Sequence, residues 1–133
     1  MTLPDDRRYS REHEWIRPED GEGVIGLTRF AVDELGDIVY VDLPAVGATL
    51  TQFASFGVVE SVKAVSDLFA PASGAVVAVN EELRTRPELL NSDPHDGGWI
   101  CRIKVADPAE LDALLEAPAY AELVGSECLP NFG

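Results

Sequence analysis

The decisive stretch of the sequence is Phe56-Gly57-Val58-Val59-Glu60-Ser61-Val62-Lys63-Ala64-Val65-Ser66-Asp67-Leu68-Phe69-Ala70-Pro71. Two arms of strand-forming residues, 58–59 and 65–69, flank a short polar segment that carries Lys63. This pattern predicts a β-hairpin with Lys63 at or near its tip. Hairpin tips are usually polar, so an ordinary solvated lysine on a turn also explains the local pattern.

Lysine is scarce in this chain, which gives Lys63 more weight. Ten residues are basic, and only Lys63 and Lys104 among them are lysines. An amine held clear of the protein at a hairpin tip suits an enzyme that acylates one lysine and no other. The alternation of the predicted strand at 99–105 places Lys104 on its outward face. A modifying enzyme would therefore meet Lys104 on the face of a sheet and not at a hairpin tip.

The composition is that of one globular domain. The 133 residues are 46% apolar and 26% charged. No apolar run approaches the roughly 20 residues of a membrane span. The net charge of −14 and the scattered basic residues argue against nucleic-acid binding. Such a charge serves solubility, or it steers the protein towards enzymes with basic docking faces.

The N-terminal residues and the cysteines favour the cytoplasm. Residues 1–8 contain acids and a proline but no apolar core, so they do not resemble a secretory signal. A processed mitochondrial-matrix form would look the same. Cys101 and Cys128 are too few for a disulfide framework, and alternation places Cys101 in the core.

The predicted elements are short strands with a helical C-terminal end, which indicates a small barrel or sandwich. Thr28 is expected to cap a helix that ends at Gly36, and Asp107 to cap another. Further strands are expected at 24–27, 38–43, 75–79 and 99–105. In the strand at 38–43, Val39, Val41 and Leu43 are expected on one face. An ordered loop is expected at 80–98, and a last helix from Pro118 to Val124.

Other motifs carry little weight. Gly21-Glu22-Gly23-Val24-Ile25-Gly26 fits a dinucleotide-binding pattern, but a turn precedes it and strand-forming residues lie inside it, so a hairpin turn explains it better. His13 and His95 have no partner at metal-ligand spacing, so no metal site is predicted. A nucleophilic Cys–His pair that meets in space stays open.

The hairpin resembles the lipoyl-lysine hairpin of the glycine cleavage system H-protein family, whose attachment lysine lies in a Glu-Ser-Val-Lys-Ala type motif. Lys63 would be the attachment site, and the recognition hairpin would be Glu60, Ser61, Val62 and Ala64. Further blocks that resemble the family are Tyr9-Ser10-Arg11-Glu12-His13-Glu14-Trp15, residues 35–44, residues 79–81, residues 87–91, Asp93-Pro94 and Gly98-Trp99. The resemblance runs from about residue 9 to about residue 124.

The resemblance implies a mainly β barrel-sandwich hybrid of the lipoyl/biotinyl type, formed by one domain of residues 1–133. Residues 9–124 would be the core, and 1–8 and 125–133 the tails. It implies a monomeric carrier rather than an enzyme, with lipoate amide-linked to Lys63. The implied partners are glycine decarboxylase, aminomethyltransferase, dihydrolipoamide dehydrogenase and a lipoate-attaching enzyme, without nucleic acid or membrane. The implied role is to move the aminomethyl group of glycine from the first of these enzymes to the second.

The resemblance also places Glu14 and Asp67 in a cleft that receives the aminomethyl-bearing arm. Carboxylates stabilise an ammonium through charge-assisted hydrogen bonds. The alternative is that both acids are plainly solvated. Glu12 departs from family members that have a small hydroxyl residue there.

Two other carrier functions remain open at this point. Biotin carriers typically flank the lysine with methionines, whereas Val62 and Ala64 flank Lys63, which favours lipoate. Acyltransferase lipoyl domains usually have an acid directly before the lysine, and they lack the blocks at 9–15 and 80–99. A lipoyl carrier that relays lipoate or serves another redox system stays an alternative, and a biotin carrier is a weaker one.

Overall fold

The computed structural model describes residues 3–128, with the side chains of 126–128 excepted. It contains nine strands and three α-helices: β1 Arg8–Tyr9, β2 Glu14–Glu19, β3 Glu22–Leu27, α1 Arg29–Leu35, β4 Ile38–Asp42, β5 Thr49–Leu50, β6 Ser55–Ser61, β7 Val65–Phe69, β8 Gly74–Val79, α2 Leu89–Ser92, β9 Cys101–Val105 and α3 Ala117–Cys128. Two 3-10 helices lie at Glu81–Arg84 and Pro108–Ala113.

The strands form two antiparallel sheets, so the prediction of a mainly β fold with short helices is confirmed. The larger sheet has the order β1-β2-β3-β9-β8-β5, and the smaller has the order β4-β6-β7. Apolar residues from both sheets, including Ile25, Val41, Val59, Leu68 and Ile103, share one buried core. Burial of this common core holds the small sheet, and therefore the β6–β7 hairpin, on the large one.

The glycine pattern at 21–26 belongs to a hairpin, as expected. Glu19 pairs with Glu22 at the end of the β2–β3 ladder, and Asp20 and Gly21 form the two-residue turn. Their φ angles are 51° and 81°, and two positive φ angles are what a type I′ turn requires. The later glycines of the pattern lie within β3.

The predicted alternation in β4 is wrong. Ile38 and Val41 are buried, whereas Val39 and Tyr40 are about half exposed. A β-bulge shifts the β4–β6 register between Ile38 and Tyr40, so one extra residue separates the two inward-facing side chains. The strict alternation of inward-facing and outward-facing side chains is interrupted at such a bulge.

A second apolar cluster joins α3 to the N-terminal strands. Tyr9, Trp15 and Tyr120 are fully buried in it, and the rings of Tyr9 and Tyr120 stack with centroids 4.8 Å apart. Helix α3 continues beyond Val124 to Cys128, so the expected tail at 125–133 does not begin at residue 125. The rest of that expected tail, 129–133, lies outside the described residues, as does the side chain of Cys128.

The remaining local predictions agree with the structure. Thr28 caps α1 and accepts from the backbone N–H of Ala31, and Gly36 ends α1 with a φ of 84°. Asp107 caps its helix, which is of the 3-10 type. Cys101 is fully buried, and burial raises the pKa of its thiol to about 12.

Candidate functional site

Strands β6 and β7 form the expected hairpin, and Lys63 lies at its tip. The backbone N–H of Ser61 donates to the carbonyl oxygen of Ala64 at 2.8 Å. Val62 and Lys63 are therefore the two central residues of the turn. Both are exposed, whereas Ser61 is buried.

The Ser61 hydroxyl orders this turn. Its oxygen accepts from the backbone N–H of Ala64 at 3.0 Å and from that of Lys63 at 3.3 Å. Serine side chains commonly bond to nearby backbone groups in turns in this way. The backbone N–H of Val62 donates to the carbonyl oxygen of Asp37 at 3.1 Å, which ties the turn to the segment that follows α1. The base of the Lys63 side chain thus has a fixed position.

The Lys63 stem passes over Gly36. A Cβ atom added at Gly36 would lie 3.5 Å from Cε of Lys63, and the φ of Gly36 is in any case one that favours glycine. Gly36 therefore ends α1 and also lies against the aliphatic part of the Lys63 side chain. The amine therefore lies beside the C-terminal end of α1.

Apolar side chains surround the lysine on the outer surface. Val62 is 71% exposed and Val65 is 69% exposed. Glu60 is half-buried and pairs with Tyr40 on one side and Val65 on the other. Apolar side chains left in solvent together are typical of a surface that another protein recognises.

A cleft with a volume of about 210 Å³ lies behind the hairpin. Most of its lining comes from residues 12–14, helix α1 and strand β7, with one residue each from β3 and β6. Glu14 and Asp67 both line it, as do Glu12, His13, Leu27, Phe30, Ala31, Glu34, Leu35, Val59, Ser66 and Leu68. Leu35 is next to Gly36, so an arm attached to Lys63 would begin at the edge of this cleft.

Glu14 is a buried acid and not a solvated one. Its side chain is only 1% exposed. Its Oε1 accepts from the Ser10 hydroxyl at 2.7 Å, and its Oε2 accepts from the backbone N–H of Phe69 at 3.1 Å. Burial raises the pKa of Glu14 to about 8, against the lowering effect of these two hydrogen bonds. The carboxyl is therefore mostly neutral at pH 7.

Asp67 differs from Glu14 because it is exposed on β7. The plain solvation considered for both acids is thus wrong for Glu14, and Asp67 is in contact with solvent. The sequence contains no local signal for this difference. It results from the contact between β2 and β7, in which Glu14 accepts from the backbone N–H of Phe69, 55 residues further along the chain.

Sequence reasoning did not identify the support behind the cleft. The Tyr120 hydroxyl lies 2.7 Å from Nδ1 of His13 and 2.8 Å from Oγ1 of Thr28. Thr28 was identifiable as a cap, but nothing in the local sequence connects Tyr120 with residue 13 or 28.

A larger cavity of about 370 Å³ lies on the other side of residues 10–12. Its lining includes Phe53, Phe69 and Leu115 but neither of the two expected cleft acids. The smaller cleft is therefore the better candidate, because it contains both acids and borders the Lys63 stem.

No metal centre emerges within residues 3–128. Among these residues no group of three His, Cys, Asp or Glu side chains could hold a metal ion. No helix in the described part of the chain is long and apolar enough to cross a membrane.

Comparisons with known proteins agree with this geometry. The family model of the glycine cleavage H-protein matches residues 7–127. A glycine cleavage system H protein of Symbiobacterium thermophilum is 58% identical over 119 residues, which are 90% of this chain and 93% of the relative. One of Bacillus cereus is 52% identical over 127 residues, which are 96% of this chain and all of the relative.

A solved structure is also similar. The crystal structure of a glycine cleavage system H protein from Mycobacterium marinum superposes with a TM-score of 0.86 at 42% identity. The match covers 92% of this chain and 99% of the other.

The two-sheet β scaffold and the match of residues 7–127 to the family model identify the class as a cofactor-carrying protein rather than a catalyst. The chain belongs to the glycine cleavage H-protein family, whose members are lipoyl carriers. Its role is that of the lipoyl-carrying shuttle in the glycine cleavage system.

The buried Glu14 predicts a specific dependence of stability on pH. Its pKa rises from 4.5 to about 8 on folding, so the folded state holds the proton more tightly than the unfolded state. The contribution of Glu14 to stability is then fully present below about pH 4.5 and is lost as the pH rises through about 8. Relative to Glu14→Gln, the wild type should lose on the order of a few kcal/mol of unfolding free energy over this range. Urea unfolding at several pH values measures the difference.

Glu34→Gln is the control for this measurement, because Glu34 is exposed in the same cleft and is not among the groups that shift the pKa of Glu14. Its unfolding free energy should follow that of the wild type over this pH range. Parallel pH profiles for the wild type and Glu14→Gln would show that the buried carboxyl titrates normally.

Proposed function

We propose that the 133 residues form one carrier domain with lipoate amide-linked to Nζ of Lys63. The exposed hairpin-tip position of Lys63 is the observation that carries this proposal. Lys104 is exposed too, but it lies in β9, between β3 and β8, and a ligase would meet it on a regular sheet face. Acylation turns the ammonium into a neutral amide and changes the formal charge from −14 to −15.

The hairpin residues fit such an attachment. Ser61 holds the turn, Val62 and Ala64 flank the lysine without bulk, and Glu60 supplies an acid on the adjacent strand position. When bound, lipoate would supply a disulfide that opens as it accepts the aminomethyl group, and the dithiol left after that group has been passed on would be reoxidised to the disulfide by dihydrolipoamide dehydrogenase. The protein supplies the position of the arm, its shelter and the surface that partners recognise.

We propose four partners: glycine decarboxylase, aminomethyltransferase, dihydrolipoamide dehydrogenase and a lipoate-attaching enzyme. Membership of the family supports the first three, and the exposed apolar side chains around Lys63 support a recognition surface for the fourth. The relatives compared above are bacterial, and we propose that these encounters take place in the cytoplasm. The net charge of −14 favours partners with basic docking faces.

We further propose that the cleft shelters the loaded arm through Glu14 and Asp67. Asp67 would bind the cationic amine through its exposed carboxylate. Glu14 would bind the same amine from its buried position, because a nearby positive charge favours the ionised form of its carboxyl. The two acids would thus hold an ammonium group between the two sheets and keep it away from water.

The attachment site is tested by two matched substitutions. Lys63→Arg keeps the positive charge at an exposed position, so we expect little loss of stability but no lipoylation and no carrier activity. Lys104→Arg should retain both. Intact-mass measurement of protein from a lipoate-replete host reports the modification directly. Lipoylation that survives in the Lys63→Arg protein would contradict the assignment.

The charge of the carrier predicts salt-sensitive docking. Attraction between surface charges is screened over about 10 Å at 0.1 M salt. The apparent Michaelis constant of the decarboxylase for the lipoylated protein should therefore rise with ionic strength. Steady-state kinetics at low and moderate salt provide the measurement. A constant value would leave solubility as the reason for the charge.

The cleft acids predict how long the loaded arm survives. A charge-assisted hydrogen bond is worth about 1.5–3 kcal/mol when shielded and less when exposed. Glu14→Gln and Asp67→Asn should therefore release ammonia and formaldehyde faster from the loaded carrier without any transferase, and the buried site should show the larger effect. The measurement is the non-enzymatic decay rate.

Asp42→Asn is the matched control for charge. Asp42 is exposed on the same small sheet, opposite Val58, and it does not line the cleft. Its decay rate should equal that of the wild type. Equal rates for all four proteins would leave Glu14 and Asp67 without a protective role.

A further inference from the structure

Tyr120 bonds to two walls of the cleft from the side that faces away from it. We call residues 12–14 the N-terminal wall and helix α1 the helical wall. Its hydroxyl lies 2.7 Å from Nδ1 of His13, which lines the cleft. The same hydroxyl lies 2.8 Å from Oγ1 of Thr28, the cap of α1. Helix α1 supplies the lining residues Phe30, Ala31, Glu34 and Leu35. One phenol group thus touches both the N-terminal wall and the start of the helical wall.

The N-terminal wall needs such support because His13 has an unfavourable backbone conformation. Its φ angle is +73°, in a region that residues with a Cβ rarely adopt. Such residues persist only where their surroundings hold them. The backbone N–H of His13 donates to Ser10 at 3.1 Å, and its carbonyl accepts from Thr28 at 3.0 Å. The Tyr120 hydroxyl adds a bond to the side chain.

The helical wall depends on the same hydroxyl through Thr28. Oγ1 of Thr28 accepts from the backbone N–H of Ala31 at 3.2 Å, and this bond caps the first turn of α1. A threonine hydroxyl rotates freely about its C–O bond, so its bond to Tyr120 fixes its orientation towards the helix. Tyr120 itself is fully buried and stacks on Tyr9, which leaves its hydroxyl little freedom.

We propose that Tyr120 is a positioning residue for the sheltering of the loaded arm. It adds a side-chain link between His13 and Thr28 to the backbone bond that joins them, and so helps to preserve the shape of the cleft. Tyr120 is not a lining residue, so it acts through the two walls and not by contact with the arm. This inference rests on the proposed role of the cleft.

Tyr120→Phe tests the inference with a matched control in the same ring pair. The Phe ring keeps the volume and the stacking but removes the hydroxyl. Tyr9→Phe removes the hydroxyl of the stacked partner, which donates to the carbonyl of Pro4 at 2.5 Å, away from the cleft. The two variants lose the same atom from adjacent buried rings, and only the first loses bonds to the cleft walls.

The first readout uses the unlipoylated protein. Amide hydrogen exchange at Ala31 and His13 should be roughly three- to tenfold faster in Tyr120→Phe, as expected for the loss of one hydrogen bond. Tyr9→Phe should exchange like the wild type at these two amides. The second readout is the decay rate of the loaded carrier, which should rise severalfold in Tyr120→Phe alone.

Two results would overturn the proposal. Exchange and decay that change equally in both variants would show that the ring pair supports only the fold. Faster amide exchange with an unchanged decay rate of the loaded carrier in Tyr120→Phe would show that the cleft shelters the arm without the bonds of the Tyr120 hydroxyl. Neither result concerns attachment at Lys63, because the mass of the lipoylated protein reports that site independently in both variants.

Discussion

A hydrogen bond between the two sheets determines the geometry of the site. Glu14 belongs to β2 of the large sheet, and its Oε2 accepts from the backbone N–H of Phe69, at the end of β7 in the small sheet. A buried polar group without a partner is costly, so the two groups hold each other in place. The cleft lies at this junction, and its two acids face it from different sheets. This contact adds to the common core that holds the small sheet, with its hairpin, on the large one.

The site combines a fixed base with a movable arm. The Ser61 hydroxyl and the bond from Val62 to Asp37 hold the turn, whereas the side chain of Lys63 is exposed. An ordered turn lowers the entropic cost of recognition, because a partner enzyme meets one conformation. An exposed side chain keeps its rotational freedom, which a carrier needs in order to visit several active sites. The bulge in β4 adds to this surface, since it leaves Tyr40 exposed beside Glu60.

Local patterns were sufficient to predict the hairpin, the cap at Thr28, the helix end at Gly36 and the core position of Cys101. Each of these depends on neighbours a few residues away in the chain. The resemblance to the family supplied the overall fold and the expectation that Glu14 and Asp67 share a cleft, which both residues line. The register shift at Val39, the burial of Glu14 and the bonds of Tyr120 could not be predicted, because they depend on contacts between residues 50 or more positions apart or on an irregular ladder. The helix that continues to Cys128 also differs from prediction, since Gly125 after Val124 is a possible stop signal but does not adopt a positive φ and stays within the helix.

In the proposed sheltering of the arm, the two cleft acids would solve an electrostatic problem that neither would solve alone. A cation that enters a cleft between two sheets loses part of its hydration, and a permanently ionised acid buried there would be unfavourable whenever the cleft is empty. A carboxyl with a pKa of about 8 is mostly neutral in the empty cleft at pH 7. In the proposed complex an arriving ammonium would lower this pKa, so the carboxyl would release its proton to solvent and the buried pair would again have no net charge. Asp67, at the exposed edge, would attract the cation before this exchange. On this argument the buried position of Glu14 does not oppose a role in holding the arm, because burial makes its charge conditional on the presence of the arm.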